Sequence, residues 1–415
     1  MILSKTNYRI WLALGAMFLC LPMIFFDDIP VRDVVSRYAP LAEAFAAGDW
    51  TNAFHPRIPP LFSVLAGIVI RIFCTDAVIA CRFVSAVFFS LTVFPFTALM
   101  EKVFNRKYAV WAGFMFILCS RLVRISGMGL RDSAKCFFII LASYGILLLY
   151  RRFSWKGALY CTLACAGMTL TRGDSLLFAL LFLCTAFGLE SRKAIPKISV
   201  CMCLLFFLLH APWLAYEYKK TGWPVTEVRH AVILDSVFST KPRAIKVSPI
   251  IEKKIITPQH KKNINNKNIS LTSFLINLFK GFYPQYLILI IPVLFFRIRN
   301  KLIRAEEVIL LLIVFIHTLG MILQILIADK YIFIYKRYLI VATPLLFGWG
   351  AIGLRWSIDK MKRILKLKRR YMVKFVLIFL AAIFVWDAWS RLRKSSLNPV
   401  LYKHFEYYTG VNLKK

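Results

Sequence analysis

The chain has 415 residues, of which 59% are hydrophobic and 15% aromatic, and its formal net charge is +35. No soluble domain could bury that much apolar surface, so the composition excludes a soluble globular protein and indicates a polytopic membrane protein. The basic residues lie between apolar runs and form no separate domain. We therefore expect no nucleic-acid partner and interpret the charge as retention of cytoplasmic loops by Lys and Arg.

Apolar runs long enough to cross a bilayer, which requires about 20 residues, recur along the chain. They lie at residues 9–26, 77–99, 108–123, 133–150, 157–171, 174–190, 197–215, 280–296, 306–328, 337–354 and 372–389. The sequence therefore predicts an all-α polytopic membrane protein with about 11 transmembrane helices. The first run follows Lys5 and includes no small-residue cleavage site, so we interpret it as an uncleaved helix.

The run at 59–73, PPLFSVLAGIVIRIF, is ambiguous because it is short and contains Arg71. If it does not cross the membrane, the short basic loops all fall on the cytoplasmic side, as the positive-inside bias requires. These loops are 101–107, 151–156, 191–197, 297–304 and 355–370. We therefore predict that 59–73 is a juxtamembrane helix at the outer interface.

The same topology defines the predicted domain organisation. One transmembrane domain covers residues 1–390 and carries a long first external loop, 27–76. A later external loop, 218–270, is rich in Lys and Asn, which fits the charge bias less well than the other loops do. The residues after the last span form an external C-terminal tail, 391–415.

The first external loop contains the polar groups with the clearest chemical meaning. Asp33 and Arg37 are four residues apart, so they share a face of a helix. The stretch RYAPLAEAFAAG predicts an amphipathic helix that ends at Gly48. At the start of this helix, near the bilayer surface, the carboxylate of Asp33 can be partly desolvated, which would raise its basicity towards that of a general base. For Glu43 and Asp49 we favour simple solvation of the loop.

The loop resembles a known family. The pattern D…RYAPLAEAFAAGDW…HPRIPPLFSVLAGIVIRIF is similar to the first external loop of the polyprenyl-phosphate-sugar-dependent glycosyltransferases of the GT-C superfold, in the subgroup of protein O-mannosyltransferases and lipid A aminoarabinose transferases. One departure is that Arg57-Ile58 separates His55-Pro56 from Pro59-Pro60. Further similar patches follow in the family's order: CRFVSAVFF, RISGMGLRDSAKCFF, LACAGMTLTRGDSLLF, HAPWLAYEYKKTGWPV and YKRYLIVATPLL.

The resemblance implies a hexosyl- or pentosyltransferase that moves a sugar from a polyprenyl-phosphate donor to an acceptor hydroxyl. Inversion at the anomeric carbon is implied, without a covalent sugar–enzyme intermediate. Asp33 and Asp132 would be the catalytic acids, Asp33 as the base and Asp132 orienting it or sharing a divalent cation with it. The substrate-binding residues would be Asp28, Arg37, Tyr38, His55, Arg172, Lys336, Arg337 and Tyr338.

The resemblance also implies partners and a location. The partners would be the polyprenyl-phosphate sugar, membrane lipid, and a glycan, lipid or protein acceptor. The site would lie on the periplasmic face of a bacterial inner membrane. Arg172, Lys336 and Arg337 would hold the donor phosphate, with Arg131 either behind them or extended towards the lipid headgroups.

Two other functions compete with this interpretation. A transporter or lipid flippase would be expected to show mid-span acids and two similar halves, whereas the acids here cluster in the first loop. A polysaccharide polymerase or ligase of another fold would concentrate function in a large later loop, but 218–270 has few catalytic residue types. Within the predicted spans, His210, His317 and Asp387 have either packing or functional roles.

Overall fold

A computed structural model of the chain describes residues 7–26, 31–56, 58–151, 154–175, 195–223, 284–328 and 336–365, with isolated residues elsewhere. These parts are helical. Their β structure is limited to an isolated bridge between His55 and Ile58. The chain divides into two units. Met1–Arg243 with Leu271–Ser357 form the first unit, which contains all contacts discussed below, and Ala244–Ser270 with Ile358–Lys415 form the second.

The helices follow the predicted apolar runs closely. In chain order they are α1 Asn7–Phe26, α2 Ala39–Ala47, α3 Leu61–Phe73, α4 Ala77–Phe104, α5 Arg106–Ile117, α6 Ser120–Gly127, α7 Asp132–Arg151, α8 Trp155–Thr171, α9 Ile195–Thr221, α10 Pro284–Arg299, α11 Ala305–Ala328, α12 Lys336–Ile340 and α13 Phe347–Leu365. A π-helical segment, Val34–Tyr38, precedes α2, and 3₁₀ turns cover Gly173–Ser175 and Thr343–Leu346.

The all-α class is confirmed for the described residues, but the number of spans is not. In this part of the chain α1, α4, α7 and α9 are long and apolar enough to cross a membrane, and the bent pair α5–α6 can be counted as one more. The predicted spans 174–190 and 372–389 lie largely outside the described residues.

The predicted span 108–123 is broken in the structure. Helices α5 and α6 meet at an angle of 53°. The break falls at Cys119, whose extended backbone (φ −75°, ψ 95°) cannot continue the helical hydrogen-bond ladder. Neither Pro nor Gly occupies the break, so the sequence contains no conventional signal for it.

The predicted span 337–354 is also divided, and here the cause is visible in the sequence. Pro344 lies in the 3₁₀ turn Thr343–Leu346 between α12 and α13. Proline has no backbone N–H and its ring obstructs the preceding turn, so a continuous α-helix ends before it.

The described part of the predicted first external loop contains two helices that pack on each other. The π-helical segment leads into α2, which ends at Gly48 with φ 79°, as predicted from the sequence. Helix α3 packs directly on α2 at Gly67, where an added Cβ would lie 2.8 Å from the Ala42 carbonyl oxygen. The ring of Phe62, at the start of α3, contacts Tyr38. Whether α3 lies at a membrane surface stays a prediction.

Helices α7 and α8 approach each other at backbone distance. A Cβ on Gly145 would lie 2.7 Å from the Cys161 nitrogen, and one on Gly157 would lie 3.0 Å from the Gly145 oxygen. Small residues at such a crossing allow close packing, as is common between membrane helices. The contact is important for the site because α7 begins at Asp132 and Arg172 directly follows α8.

Labelling of two exposed positions tests the predicted topology. In a variant without the accessible cysteines, Thr51→Cys should react in intact cells with a membrane-impermeant thiol reagent, because it lies in the first external loop. Leu302→Cys, at a position 48% exposed in the basic turn between α10 and α11, should react only after permeabilisation. If α3 crossed the membrane, the two positions would share a side, and both would react in intact cells.

Candidate functional site

A buried ion pair joins the start of α7 to the end of α8. Arg172 Nη1 donates to Asp132 Oδ1 at 2.7 Å, and the side chains are only 6% and 2% exposed, respectively. Arg172 has an extended backbone (φ −145°, ψ 121°), while its N–H still donates to Met168 O at 3.0 Å. Helix α8 therefore ends at the residue whose side chain reaches α7. Because each charge is removed from water, each needs the other as its partner.

Arg172 also contacts the C-terminal part of the first unit. Its guanidinium carbon lies 4.3 Å from the ring centroid of Tyr338, which belongs to α12. At this distance the ring face attracts the cation, and more strongly where water is excluded. The side chain of Arg172 is thus held by Asp132 on one element and by Tyr338 on another.

Tyr38 and Arg131 link the predicted first external loop to this ion pair. The guanidinium carbon of Arg131 lies 5.4 Å from the Tyr38 ring centroid, and Arg131 Nη1 donates to the carbonyl oxygen of Thr171 at 3.2 Å. Phe62 meets the Tyr38 ring edge to face at 5.4 Å. Arg131 and Asp132 are consecutive, as are Thr171 and Arg172, so two adjacent contacts fasten α7 to α8.

The pKa of Tyr38 shows which charges surround it. Burial raises the pKa of the phenol, and so does the negative charge of Asp33 and Asp132, whereas the positive charge of Arg131 and Arg172 lowers it. Asp33, from the first loop, therefore acts on the same hydroxyl as the buried pair. The phenol stays neutral at physiological pH and can donate a hydrogen bond there.

Asp33 forms an ion pair within its own helical segment. Its Oδ1 lies 3.4 Å from Arg37 Nη1, with the four-residue spacing that the sequence indicated. The Asp33 side chain is 19% exposed, so it is more accessible than Asp132. An acid that is partly desolvated yet reachable has the position expected of a group that exchanges a proton with a bound substrate.

Comparison with known proteins identifies the fold. No family model and no curated protein sequence matches the chain. The crystal structure of ArnT from Cupriavidus metallidurans bound to undecaprenyl phosphate is similar over 92% of this chain and 70% of that one, with a TM-score of 0.54 and 14% identity. The apo state of the same protein is similar over 98% of this chain and 76% of that one, with a TM-score of 0.56 and 14% identity. The apo form of the Archaeoglobus fulgidus oligosaccharyltransferase is similar over 98% of this chain and 60% of that one, with a TM-score of 0.51 and 14% identity.

This chain has the GT-C fold. At such low identity the likeness concerns the path of the backbone and leaves residue roles to the geometry of this chain. The chain spans less than two thirds of the length of the oligosaccharyltransferase. The two apo structures cover nearly all of this chain.

Lys135, which was not among the predicted site residues, is completely buried in α7 one turn after Asp132. A signal was present, because a Lys inside a predicted span is unusual and suggests function. With Lys135 included, the described cluster of Asp132, Arg172 and their neighbours has two carboxylates and four basic side chains. The carboxylates are Asp33 and Asp132, and the cations are Arg37, Arg131, Lys135 and Arg172. Basic side chains of this kind suit an anionic ligand.

Of the other predicted residues, His55 lies in a turn of the first loop, and the side chains of the remaining three lie outside the described part. His55 lies in a turn closed by a bond from Ile58 N–H to its carbonyl oxygen at 2.9 Å. The turn is fastened to α9 because the Tyr216 hydroxyl donates to Phe54 O at 2.8 Å. Asp28 and the side chains of Lys336 and Arg337 lie outside the described residues.

Hydrogen bonds from the Thr51 and Asn52 side chains lower the pKa of Asp49, which fits its predicted role in a solvated loop. No group of three His, Cys, Asp or Glu side chains suited to a metal ion occurs within the described ranges.

The buried pair can be tested by unfolding the purified protein in detergent. Asp132→Asn or Arg172→Gln should each lower the free energy of unfolding by about 3–5 kcal/mol, because one charge is left buried alone. The double variant should lose less than the sum, since neither charge remains. The half-exposed pair provides the control: Asp33→Asn and Arg37→Gln should cost about 0–1 kcal/mol. Strictly additive losses at positions 132 and 172 would contradict a direct pair.

Proposed function

We propose that this protein is a membrane glycosyltransferase that transfers a sugar from a polyprenyl-phosphate donor to an acceptor hydroxyl. The observation that carries the proposal is the buried Asp132–Arg172 pair, with Arg172 lying on Tyr338, in a cation-rich cluster of a GT-C fold. Two similar structures contain lipid phosphates: undecaprenyl phosphate in ArnT and dolichol-phosphate in the Archaeoglobus fulgidus AglB. A polyprenyl phosphate has the charge that this cluster suits.

The donor phosphate would be bound by Arg172, together with Lys336 and Arg337 from the segment that carries Tyr338. When the sugar leaves, the phosphate oxygen takes the bonding electrons and becomes more negative. Charge-assisted hydrogen bonds stabilise such an anion strongly where the dielectric constant is low. In this arrangement Asp132 fixes the orientation of Arg172 through the ion pair at 2.7 Å.

The acceptor would be activated by Asp33. Its carboxylate takes the hydroxyl proton while the acceptor oxygen bonds to the anomeric carbon and the bond from that carbon to the phosphate oxygen breaks. A single displacement of this kind inverts the anomeric centre. Arg37 Nη1 lies 3.4 Å from Asp33 Oδ1 and would orient the carboxylate.

Further residues of the first loop would complete the substrate site. Tyr38, wedged between Phe62 and Arg131, would present its neutral hydroxyl to the donor, and Asp28 and His55 would contact the sugar or the acceptor. We place this site on the periplasmic face of a bacterial inner membrane. The acceptor would be a glycan, a lipid or a protein of the cell envelope.

The function is tested with the purified full chain in lipid vesicles, a series of undecaprenyl-phosphate sugars and an envelope extract as acceptor. Release of undecaprenyl phosphate is the informative readout, because every acceptor yields it. Glycan and lipid analysis of cells with and without the gene then identifies the product. Movement of an intact lipid-linked sugar across the bilayer, without consumption, would instead support the flippase alternative.

The role of Asp33 predicts a large kinetic effect from a small change. Asp33→Asn keeps the shape of the side chain and removes the proton acceptor, so transfer should fall by about 10²-fold or more. Donor binding and expression should persist. Glu43→Gln, an exposed acid of α2 in the same loop, is the matched control and should retain activity. Near-normal turnover of Asp33→Asn, with loss of activity in Asp28→Asn, would assign the base to the other acid.

The role of Arg337 is tested by comparing a Lys with an Ala variant. If its guanidinium binds the phosphate, Arg337→Ala should cost about 2–4 kcal/mol in transfer. Arg337→Lys should recover only part, because an ammonium cannot reproduce the bidentate contact. The measurement is the transfer rate against donor concentration. Full activity of the Lys variant, or an unchanged donor dependence of the Ala variant, would remove Arg337 from the site.

A further inference from the structure

A buried histidine contacts the backbone of the residue on which Arg172 lies. His317, in α11, is 0% exposed, and its Nε2 lies 3.0 Å from the carbonyl oxygen of Tyr338. A carbonyl oxygen can only accept, so Nε2 carries a proton and donates it to this bond. An ionisable side chain this deep in an apolar helix is usually tied to function or to a specific partner.

The end of α12 explains why this carbonyl is available. Helix α12 is five residues long and ends at Ile340. In a continued helix the N–H of Ala342 would donate to Tyr338 O, but it donates to Leu339 O instead, at 3.2 Å. The final carbonyl groups of a helix need partners from outside it. His317 supplies the partner at Tyr338.

The contact is important because α12 is too short to hold its own shape. One turn of helix fixes several backbone dihedrals for very few hydrogen bonds, so it depends on its neighbours. The bond from His317 fixes the backbone of Tyr338, the ring of Tyr338 lies 4.3 Å from the guanidinium carbon of Arg172, and Arg172 is paired with Asp132 at 2.7 Å. A continuous series of contacts therefore runs from α11 to the ion pair.

We propose that His317 is a positioning residue for glycosyl transfer: through the backbone of Tyr338 it holds the ring against Arg172 and so sets the orientation of the guanidinium towards the donor phosphate. The proposal rests on the proposed function and adds a residue that does not itself touch the substrate. Small displacements of a positioned group reduce catalysis strongly, with a misplacement of about 1 Å costing as much as 10²-fold.

Two amide substitutions distinguish the hydrogen bond from simple packing. His317→Gln places an N–H donor near the position of Nε2, whereas His317→Asn places it one bond closer to the backbone, near Nδ1. Transfer by the Asn variant should fall by about tenfold or more and show a higher KM for the donor, and the Gln variant should recover most of the rate. Thr318→Ala removes only a bond to Val314 O within α11 and is the neighbouring control. Equal rates for Gln and Asn would overturn the proposal.

A second variant shows whether His317 acts through Tyr338. Tyr338→Leu removes the ring, so its combination with His317→Asn should be no slower than Tyr338→Leu alone. If His317 only packed the core, the two losses would multiply, and that outcome would also overturn the proposal.

Unfolding of the purified protein separates this proposal from the proposed function. In a chain that keeps His317, Tyr338→Leu and Arg172→Gln should have non-additive effects on the midpoint of thermal unfolding, because the side chains of Tyr338 and Arg172 touch. In the His317→Asn background that coupling should disappear. If no donor is consumed by the wild-type protein, the proposed function fails, but this coupling still decides whether His317 positions the ring. Coupling of the same size in both backgrounds would overturn the proposal.

Discussion

The ion pair between Asp132 and Arg172 is the constraint on which the rest of the site depends. Both charges are removed from water, so the folded state is stable only where they meet. That condition fixes the start of α7 against the end of α8. The small residues Gly145 and Gly157 allow the two helices to pack this closely. Tyr338 and Tyr38 then complete the cluster, because aromatic faces are among the few surfaces that accept a guanidinium without water.

The helices could be predicted well because their signal is local. An apolar run of sufficient length is itself the reason that a membrane helix forms, and a Gly such as Gly48 ends a helix by its own backbone preference. The break at Cys119 could not be predicted, since no residue there carries a breaking signal and tertiary packing determines the bend. The π-helical segment before α2 likewise has no signal in the sequence that predicts it.

The site was less accessible to sequence reasoning because its contacts are distant along the chain. Spacing alone placed Asp33 with Arg37, since one helical turn relates them. Asp132 and Arg172 are 40 residues apart, and only the resemblance to a family suggested that both belong to one site. Lys135 had a usable signal as a charge within an apolar span, but its position one turn from Asp132 becomes meaningful only when the ion pair is known.

At the opposite end of the helices, a buried carboxylate has its partners within the chain. There the buried carboxylate of Glu307 accepts from Arg297 at 2.6 Å, from Arg304 at 3.4 Å and from Trp349 Nε1 at 3.0 Å, and these contacts join α10, α11 and α13. This arrangement surrounds one anion with donors from its own chain, as a structural contact requires. At the site end the charges are of both signs and come from separate elements, because Asp33, Asp132, Arg131 and Arg172 all act on the phenol of Tyr38. Under the proposed function, Arg131 and Arg172 are the cations that would compensate the charge of a donor phosphate at this end.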